Sequence, residues 1–379
     1  MIRARPRPPY RRGVIRPSAG SEAGHPRWDL FRSTGGRVPD TARRDGAAPF
    51  ALRAVVSYLP ESTLPVAELP ELDRLDDDER RACLALGIDS VRADDGMDAT
   101  ALAERAAGRL LEQAGRDPGE LGALIVVEQR VPGTLLSSAA THLQHLLKAE
   151  HALTFSVGGL GCVSVTPALL TARGLLAADP ELDEVLVAHG SKPVSPQARY
   201  RHPVTVNGDS GQALLIGRDG PVRLLDAVQE TNGAYWDLFH VDYRDVRSEL
   251  WREDCTDPPG YSFRLAIETR NRLAALLRRL LERNGLAQDD VRGFVSQNLS
   301  VGSQTFTEES LGLSLLPVCR ENLRENGHLG PNDVFLNLRT AMERGALGPG
   351  DRVVLINVSP VAAWSLLLVE IGPQEPATP

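Results

Sequence analysis

The chain has 379 residues, of which 42% are hydrophobic and 24% charged, and its formal net charge is −8. This length can bury one or two cores, whereas the negative charge argues against nucleic acid as a partner, because phosphate binding requires a basic surface. No run of about 18 apolar residues occurs, so we predict no transmembrane helix and no membrane partner.

Residues 1–48 form the first segment, which is rich in arginine, proline and glycine and shows no hydrophobic periodicity. Such a composition predicts a disordered basic tail. The segment lacks the apolar core of a signal peptide. Four cysteines lie far apart without a CxxC pair, which indicates neither a metal site nor a disulfide framework. We therefore expect a cytoplasmic protein.

The first folded half, residues 49–220, alternates predicted strands and helices. ALRAVVSY predicts a strand, residues 99–115 an amphipathic helix, LGALIVVEQ a buried strand and SSAATHLQHLLKA a second helix. LTFSV predicts a strand that leads through a glycine-marked turn into an alanine- and leucine-rich helix. VLVAHG predicts another buried strand, and GQALLIG with PVRLLDAVQ predicts a pair of strands across the boundary of the halves.

The second half, residues 221–379, repeats this alternation after a polar, aromatic insert at residues 235–261. FRLAIETRNRLAALLRRLLERNG predicts a long helix, VRGFVSQN a strand, TFTEESLGL a segment leading into a helix and VFLNLRTAMERG a helix. RVVLINVS and WSLLLVEIG predict the closing strands. The pattern favours an α/β layered fold with a mostly parallel sheet in each half.

Cys162 is the strongest candidate for a nucleophile. It follows Gly158, Gly159 and Gly161 after an apolar strand and precedes a helix. A thiol near a helix N-terminus has a lowered pKa, because backbone N–H groups and the helix dipole favour the thiolate. The glycines allow a tight turn and leave room for a substrate carbonyl beside backbone donors. The alternative is a buried structural cysteine, the more usual role of a free thiol.

Three stretches resemble the ketoacyl-ACP synthase III branch of the thiolase superfamily. They are the region from LGALIVVEQ to GLGCVSVTPALLTA, the strand VNGDSGQALLIG, and the segment from NGHLGPNDVFLNL to the last strand. The resemblance covers roughly residues 50–372. It implies a thiolase-like fold, with two similar βαβαβ halves in a five-layered α-β-α-β-α architecture, and a homodimer.

The chain departs from the condensing enzymes of this family, which use Cys, His and Asn, the last two assisting decarboxylation. The family's His position is occupied by Gln297 or Asn298, and its Asn position by His328, with Asp333 five residues later. A His followed by Asp resembles the ketoacyl-synthase-III-like acyltransferases, which prime polyketide assembly or esterify natural products such as antibiotics. By this resemblance, Cys162, His328 and Asp333 form a catalytic triad.

Each member of the triad has a plausible chemical role in acyl transfer. One histidine can deprotonate Cys162 or an attacking hydroxyl, amine or thiol near neutral pH. Asp333 can hold the imidazole tautomer and stabilise the imidazolium. The structural alternatives are that His328 is a turn residue and that Asp333 caps the following helix.

Two auxiliary candidates lie elsewhere in the chain. His240 resembles a second histidine that some members of this branch place near the oxyanion hole, and otherwise is a histidine of the insert. Ser359 occupies the position of a family glycine whose N–H contributes to that hole, and otherwise belongs to a plain turn. His142 and His145 are three residues apart on a predicted helix, but no third ligand is apparent, so we predict no metal site.

These features predict an acyltransferase that takes an acyl group from CoA or a phosphopantetheinyl carrier protein onto Cys162, with no permanently bound cofactor. The acceptor would be a second carrier protein, an alcohol or an amine. The alternatives are a condensing starter-unit ketoacyl-ACP synthase III and a non-catalytic partner subunit. For the acidic carrier protein, we name two candidate basic surfaces: Arg199 with Arg201, or Arg278 with Arg279 and Arg283.

Overall fold

The computed structural model of the protein describes residues 50–373. The predicted tail at residues 1–48 lies outside this range. The strands are β1 Ala51–Tyr58, β2 Thr63–Pro65, β3 Ser90–Arg92, β4 Ala123–Val127, β5 Leu153–Val157, β6 Val185–Ser191, β7 Tyr200–Arg201, β8 Thr205–Val206, β9 Ser210–Gly217, β10 Val222–Thr231, β11 Phe239–His240, β12 Asp254–Cys255, β13 Gly293–Val295, β14 Arg352–Ser359 and β15 Ala363–Ile371. The α-helices are α1 Asp77–Leu84, α2 Ala99–Gln113, α3 Ala139–Leu147, α4 Val165–Ala178, α5 Ala266–Asn284, α6 Val301–Leu311, α7 Val318–Asn326 and α8 Asp333–Glu343.

The first half forms a sheet in the order β5-β4-β6-β9-β1, with helices on both faces. β4 is buried along its whole length, and its alternate residues face opposite sides. Leu124 and Val126 pack outward in a cluster with α2 and α3. Ala123, Ile125 and Val127 pack inward with α4. A continuous apolar run therefore forms a strand that is covered on both faces.

The second half forms a sheet in the order β10-β15-β14-β13. Its outer face packs against α5, whose buried stripe runs from Leu273 to Leu281 at helical spacing. Its inner face, including Val353, Leu355 and Leu367, joins the cluster that contains α8. The two sheets are connected where β1 pairs briefly with β10.

Helices α4 and α8 form the middle layer. One apolar cluster contains Leu169 and Ala172 of α4, Phe335 and Leu338 of α8, and inward residues of both sheets. The order of layers is therefore helix, sheet, helix, sheet, helix, which confirms the predicted five-layered α/β architecture. Among the described residues, only the segment Gly161–Ala178 is long and apolar enough to cross a membrane, and α4 packs within this middle layer.

Two details of the predicted topology are wrong. The sheets are mixed, because β4 runs parallel to β5 and β6, whereas β9, β1, β15 and β10 pair antiparallel with their neighbours. β14 and β15 are joined by a tight turn and no crossover helix, and such a hairpin must be antiparallel. β9 and β10 do not pair with each other, because β1 lies between them.

Candidate active site

Cys162 lies in a short 3-10 turn, Gly161–Ser164, between β5 and α4. Gly159 and Gly161 adopt the left-handed backbone region, with φ of 83° and 54°. A Cβ on Gly161 would lie 2.6 Å from Ser359 Oγ, so a side chain there would displace that hydroxyl. The amide of Asn357 donates to the carbonyl of Cys162 over 2.9 Å. The turn is thus fixed from both halves of the fold.

His328 is held by its backbone on the other side of the site. Its N–H donates to the carbonyl of Val206 over 2.9 Å, and its carbonyl accepts from the N–H of Gly208 over 3.0 Å. The fully buried imidazole places Nε2 3.1 Å from the sulfur of Cys162. This contact is close enough for direct proton transfer between the two groups.

Asp333 is the first residue of α8, and its carboxylate is fully occupied. Oδ2 accepts from His328 Nδ1 over 2.6 Å and from the N–H of Asn298 over 2.9 Å. Oδ1 accepts from the N–H of Leu329 over 2.7 Å. The carboxylate therefore bonds to groups that precede the helix and does not cap it. Because Nδ1 donates to Asp333, the hydrogen-bonding role of Nε2 is directed at Cys162.

The electrostatics of this pair favour separated charges. Burial would raise the pKa of Cys162, but the charges of His328, Arg201 and Arg130 outweigh it and lower that pKa. Burial would lower the pKa of His328, but Cys162 and Asp333 outweigh it and raise that pKa. Both shifts favour a thiolate beside an imidazolium, the reactive form of a cysteine nucleophile.

Cys162 opens into a cavity of about 760 Å³. One wall comes from the insert at residues 235–261, which contains the small hairpin of β11 and β12. The insert residues in this wall are Phe239, His240, Val241, Tyr243, Trp251 and Glu253. The polar, aromatic composition that marked the insert in the sequence therefore corresponds to a cover over the nucleophile.

The two auxiliary candidates both reach this cavity. The side chain of His240 is 42% exposed and lies 3.8 Å from the carboxylate of Asp242. Ser359 is buried in the cavity wall, directly against Gly161. A position beside the cysteine turn is where an oxyanion-hole donor would have to lie. The predicted roles of both residues remain predictions.

Gln297 and Asn298 are structural residues of the site and do not line the cavity. Gln297 Oε1 accepts from the N–H of Val358 over 2.7 Å, and Asn298 Oδ1 accepts from Asn337 over 2.9 Å. Both side chains are buried. Asn298 contributes to the site through its backbone N–H, which binds Asp333. The chain thus uses these positions to hold β14 and the triad carboxylate in place.

An ionic cluster that sequence reasoning missed lies in the cavity wall. Glu253 Oε2 accepts from Arg201 Nη1 over 3.1 Å, and its Oε1 lies 3.3 Å from Arg130 Nε. The two guanidiniums outweigh the burial of Glu253 and lower its pKa. The residues are separated by 50 or more positions, and only tertiary structure brings them together. No local motif marked them.

The first of the two predicted basic surfaces is wrong, and in the second only Arg278 is solvent-exposed. Arg199 and Arg201 are both buried, and Arg199 pairs with Asp209 over 2.8 Å. Arg279 pairs with Glu230, and Arg283 pairs with Asp226. Arginines in loops and on amphipathic helices looked like surface charge because sequence alone does not reveal the buried acids that they meet.

His189 is a second missed residue of the wall. It lies near the end of the buried strand β6, and its Nδ1 is 2.9 Å from the carbonyl of Val127, to which it must donate. Burial lowers the pKa of His189 to about 4, so the ring is neutral. Its Nε2 is then an acceptor only. A polar residue near the end of a buried strand was the signal that could have identified it.

Within residues 50–373 no group of three or more His, Cys, Asp and Glu side chains could hold a metal ion.

Comparison with known sequences finds no matching family model. It does find similar curated proteins. A beta-ketoacyl-[acyl-carrier-protein] synthase III from Ruegeria sp. is 27% identical over 337 residues, and one from Coxiella burnetii is 23% identical over 324 residues. Each alignment covers 84% of this chain and 98% of the relative. The chain is thus similar to ketoacyl-ACP synthase III over nearly the whole length of these relatives.

Comparison with solved structures finds the same fold. The acyltransferase ChlB3 superposes with a TM-score of 0.71 at 21% identity, covering 86% of this chain and 98% of ChlB3. Synthase III from Aquifex aeolicus gives 0.69 at 19% identity, covering 85% of this chain and 99% of that protein. An OleA variant from Xanthomonas campestris gives 0.71 at 20% identity, covering 86% and 98%. The chain has the thiolase-like fold that these proteins share.

Proposed function

We propose that this ketoacyl-ACP synthase III-like chain is an acyltransferase that carries the acyl group as a thioester on Cys162. The observation that supports the proposal most directly is the continuous chain from Cys162 Sγ to His328 Nε2 at 3.1 Å and from His328 Nδ1 to Asp333 at 2.6 Å. Such a set activates a nucleophile and needs only one histidine.

The reaction would proceed in two steps. The Cys162 thiolate attacks the carbonyl of an incoming thioester, the bond to the donor sulfur breaks, and the proton on His328 leaves with the donor thiol. His328, now neutral, accepts the proton of the acceptor as the acceptor attacks the Cys162 thioester. Collapse of that intermediate releases the transferred acyl group and restores the thiolate–imidazolium pair. Asp333 keeps the imidazole in one orientation throughout.

Apart from Arg201, the histidines of the cavity wall and the nearby amides favour acyl transfer over decarboxylative condensation. Condensation develops negative charge on an enolate oxygen, which needs hydrogen-bond donors aimed at it. The amide nitrogens of Gln297 and Asn298 are buried donors without a partner among the described residues, but neither residue lines the cavity and can aim them at a substrate oxygen there. The one N–H of His189 donates to the carbonyl of Val127, so its Nε2 can only accept a hydrogen bond from a substrate. The other histidine of the wall, His240, is largely solvent-exposed.

The proposal extends to the substrates. The donor is acyl-CoA or an acyl group on a phosphopantetheinyl carrier protein, and the acceptor is a second carrier protein, an alcohol or an amine in polyketide-type natural-product biosynthesis. No permanently bound cofactor is needed for this chemistry. We expect the enzyme to act as a homodimer in the cytoplasm.

The test is incubation of the purified protein with acetyl-CoA and longer acyl-CoAs, followed by intact mass spectrometry. We expect an acyl adduct that Cys162→Ala abolishes and that an amine, an alcohol or a carrier-protein thiol removes as product. Cys83→Ala is the matched control, because burial raises the pKa of that thiol to about 12 and leaves it unreactive. An adduct that survives in Cys162→Ala, or the absence of any adduct with both CoA and carrier-protein donors, contradicts the proposal.

A condensing starter-unit synthase is the second candidate, because the curated relatives are named beta-ketoacyl-[acyl-carrier-protein] synthase III. The two functions differ in their products. Malonyl-ACP added to the acylated enzyme would release carbon dioxide and yield a β-ketoacyl chain if the enzyme condenses. Transfer of the intact acyl group without carbon dioxide release identifies the acyltransferase.

A further inference from the structure

Arg201 lies at the junction of two cavities. It lines the cavity that contains Cys162 and also a neighbouring one of about 210 Å³. Ser359 and Pro360 are the other residues that both cavity walls share. An acyl group on Cys162 that extends into the smaller cavity would therefore pass beside Arg201.

The hydrogen bonding of Arg201 is incomplete on one edge. Nη1 donates to Glu253, but the buried Nε and Nη2 have no hydrogen-bond partner among the described residues. These two nitrogens present their N–H groups side by side on the same edge of the guanidinium. That spacing matches the two oxygens of a carboxylate. Buried donors without acceptors destabilise the protein, so an anion that binds at this edge lowers the free energy of the complex.

The local charge also favours an anion. Arg201 and Arg130 share a single buried carboxylate, that of Glu253, to which the amide of Asn207 also donates over 3.3 Å. The cluster therefore carries one excess positive charge, and the Cys162 thiolate that interacts with Arg201 loses its negative charge once it is acylated. Glu128, the other carboxylate in the cavity wall, is solvent-exposed and compensates it weakly.

We propose that Arg201 selects acyl groups that carry a carboxylate, so that the substrate is a half-thioester of a dicarboxylic acid. This inference rests on the proposed function, since it describes the acyl group that Cys162 accepts. The remaining wall of the smaller cavity includes the apolar residues Val204, Leu265, Leu299, Phe306 and Val358. Methylene groups fit such a wall, whereas a purely hydrocarbon chain would leave the free edge of Arg201 unpaired.

The test compares matched thioesters that lack the phosphates of CoA. Malonyl, succinyl and glutaryl N-acetylcysteamine thioesters are paired with monocarboxylic thioesters of the same carbon number, and adduct formation on Cys162 is followed by intact mass. For at least one pair we expect the carboxylate to accelerate loading by about tenfold or more, as charge-assisted pairing at one guanidinium supplies. Arg201→Gln should remove this preference, and Arg201→Lys, which keeps the charge but lacks the two-donor edge, should retain part of it.

Two controls separate selection from general reactivity and folding. Arg201 also favours the Cys162 thiolate, so each loading rate is divided by the rate of iodoacetamide alkylation of the same variant. Arg279→Gln removes an arginine that pairs with Glu230 and lies outside the cavity wall, and it should keep the wild-type preference. Thermal unfolding reports whether each variant is folded.

The outcomes are distinguishable. If no thioester of either type loads Cys162, the proposed function fails. If neutral and anionic acyl groups load equally well in the wild type, or Arg201→Gln lowers both by the same normalised factor, the inference fails while the proposed function stands. Loading from the corresponding acyl-CoAs is measured as well. If Arg201→Gln slows loading from acyl-CoAs whatever their acyl group and leaves loading from every N-acetylcysteamine thioester unchanged, the guanidinium binds phosphate, and the inference is again overturned.

Discussion

The two halves of the molecule build the same loop and use it differently. Residues 160–165 read LGCVSV and residues 329–334 read LGPNDV, and each run leads into a helix of the middle layer. Leu160 and Leu329 have nearly the same backbone angles, with φ of −116° and −104° and ψ of 17° and 20°. Each is followed by a glycine with positive φ.

In each loop the side chain of the fifth residue accepts a hydrogen bond from the backbone N–H of the first residue, and we call this hydrogen bond the lock of the loop. Ser164 Oγ accepts from the N–H of Leu160 over 3.1 Å, and Asp333 Oδ1 accepts from the N–H of Leu329 over 2.7 Å. A hydroxyl supplies one oxygen for this purpose, whereas a carboxylate has a second. In the second half that second oxygen binds His328. A structural lock thus becomes a catalytic support by a change from hydroxyl to carboxylate.

Asp333→Ser tests this comparison most severely, because it gives the second loop the locking residue of the first. We expect the loop to keep its lock but His328 to lose its support, with acyl transfer falling by about 10²–10⁴-fold. Rates of thioester turnover measure the effect, and Asp333→Asn is the shape-conserving control. Wild-type activity in Asp333→Ser would mean that the carboxylate does not orient the imidazole.

Much of this site was accessible from the sequence. Cys162 in a glycine turn before a helix, and His328 followed by Asp333, identified three residues that the fold brings into contact. Local context pointed to Cys162, whereas the roles of His328 and Asp333 were predicted from the resemblance to the ketoacyl-synthase-III-like acyltransferases. The Arg201–Glu253 pair had no such signature, since each side chain is defined by a distant partner.

The fold was predictable to a similar depth. Continuous apolar runs identified strands covered on both faces, and their alternation with helices indicated a layered α/β fold. The order of five layers was implied by the family resemblance. Strand pairing was not predictable in the same way, because β1 enters between β9 and β10 from far away in the chain. The roles of Gln297 and Asn298 also depended on contacts with β14 and α8 that sequence spacing does not encode.

The second prediction concerns the effect of the His328 charge on Cys162 in the first loop. The pH dependence of thiol alkylation measures this effect. Because His328 lowers the pKa of Cys162, wild-type alkylation by iodoacetamide should persist as pH falls below the usual thiol range. In His328→Asn the burial of the thiol remains without its compensating charge, so the midpoint of the profile should move to higher pH. For every pH unit by which the midpoint rises above neutral pH, alkylation at neutral pH slows about tenfold, and the rates should converge in alkali. Superimposable profiles would contradict the ion pair.

Ser164→Ala should have the smallest effect, because it removes only a lock. We expect a loss of about 0.5–1.5 kcal/mol in the free energy of unfolding, as is typical of one hydrogen bond, with acyl transfer less affected than in Asp333→Ser. Urea unfolding measures this loss. Thr171→Ala is the matched control, since its hydroxyl donates to Pro167 within the same helix and does not touch the loop. Equal activity losses in Ser164→Ala and Asp333→Ser would contradict the idea that Ser164 only holds its loop whereas Asp333 also supports His328.

The insert at residues 235–261 contributes to the cavity wall but not to the catalytic triad. The nucleophile and its His–Asp support are held by the middle helices and the strands beside them, and no member of that triad comes from residues 235–261. The insert instead supplies Glu253 and much of the apolar wall above Cys162. A substitution in the wall that the insert forms would therefore change which molecules reach Cys162 without removing a member of the triad.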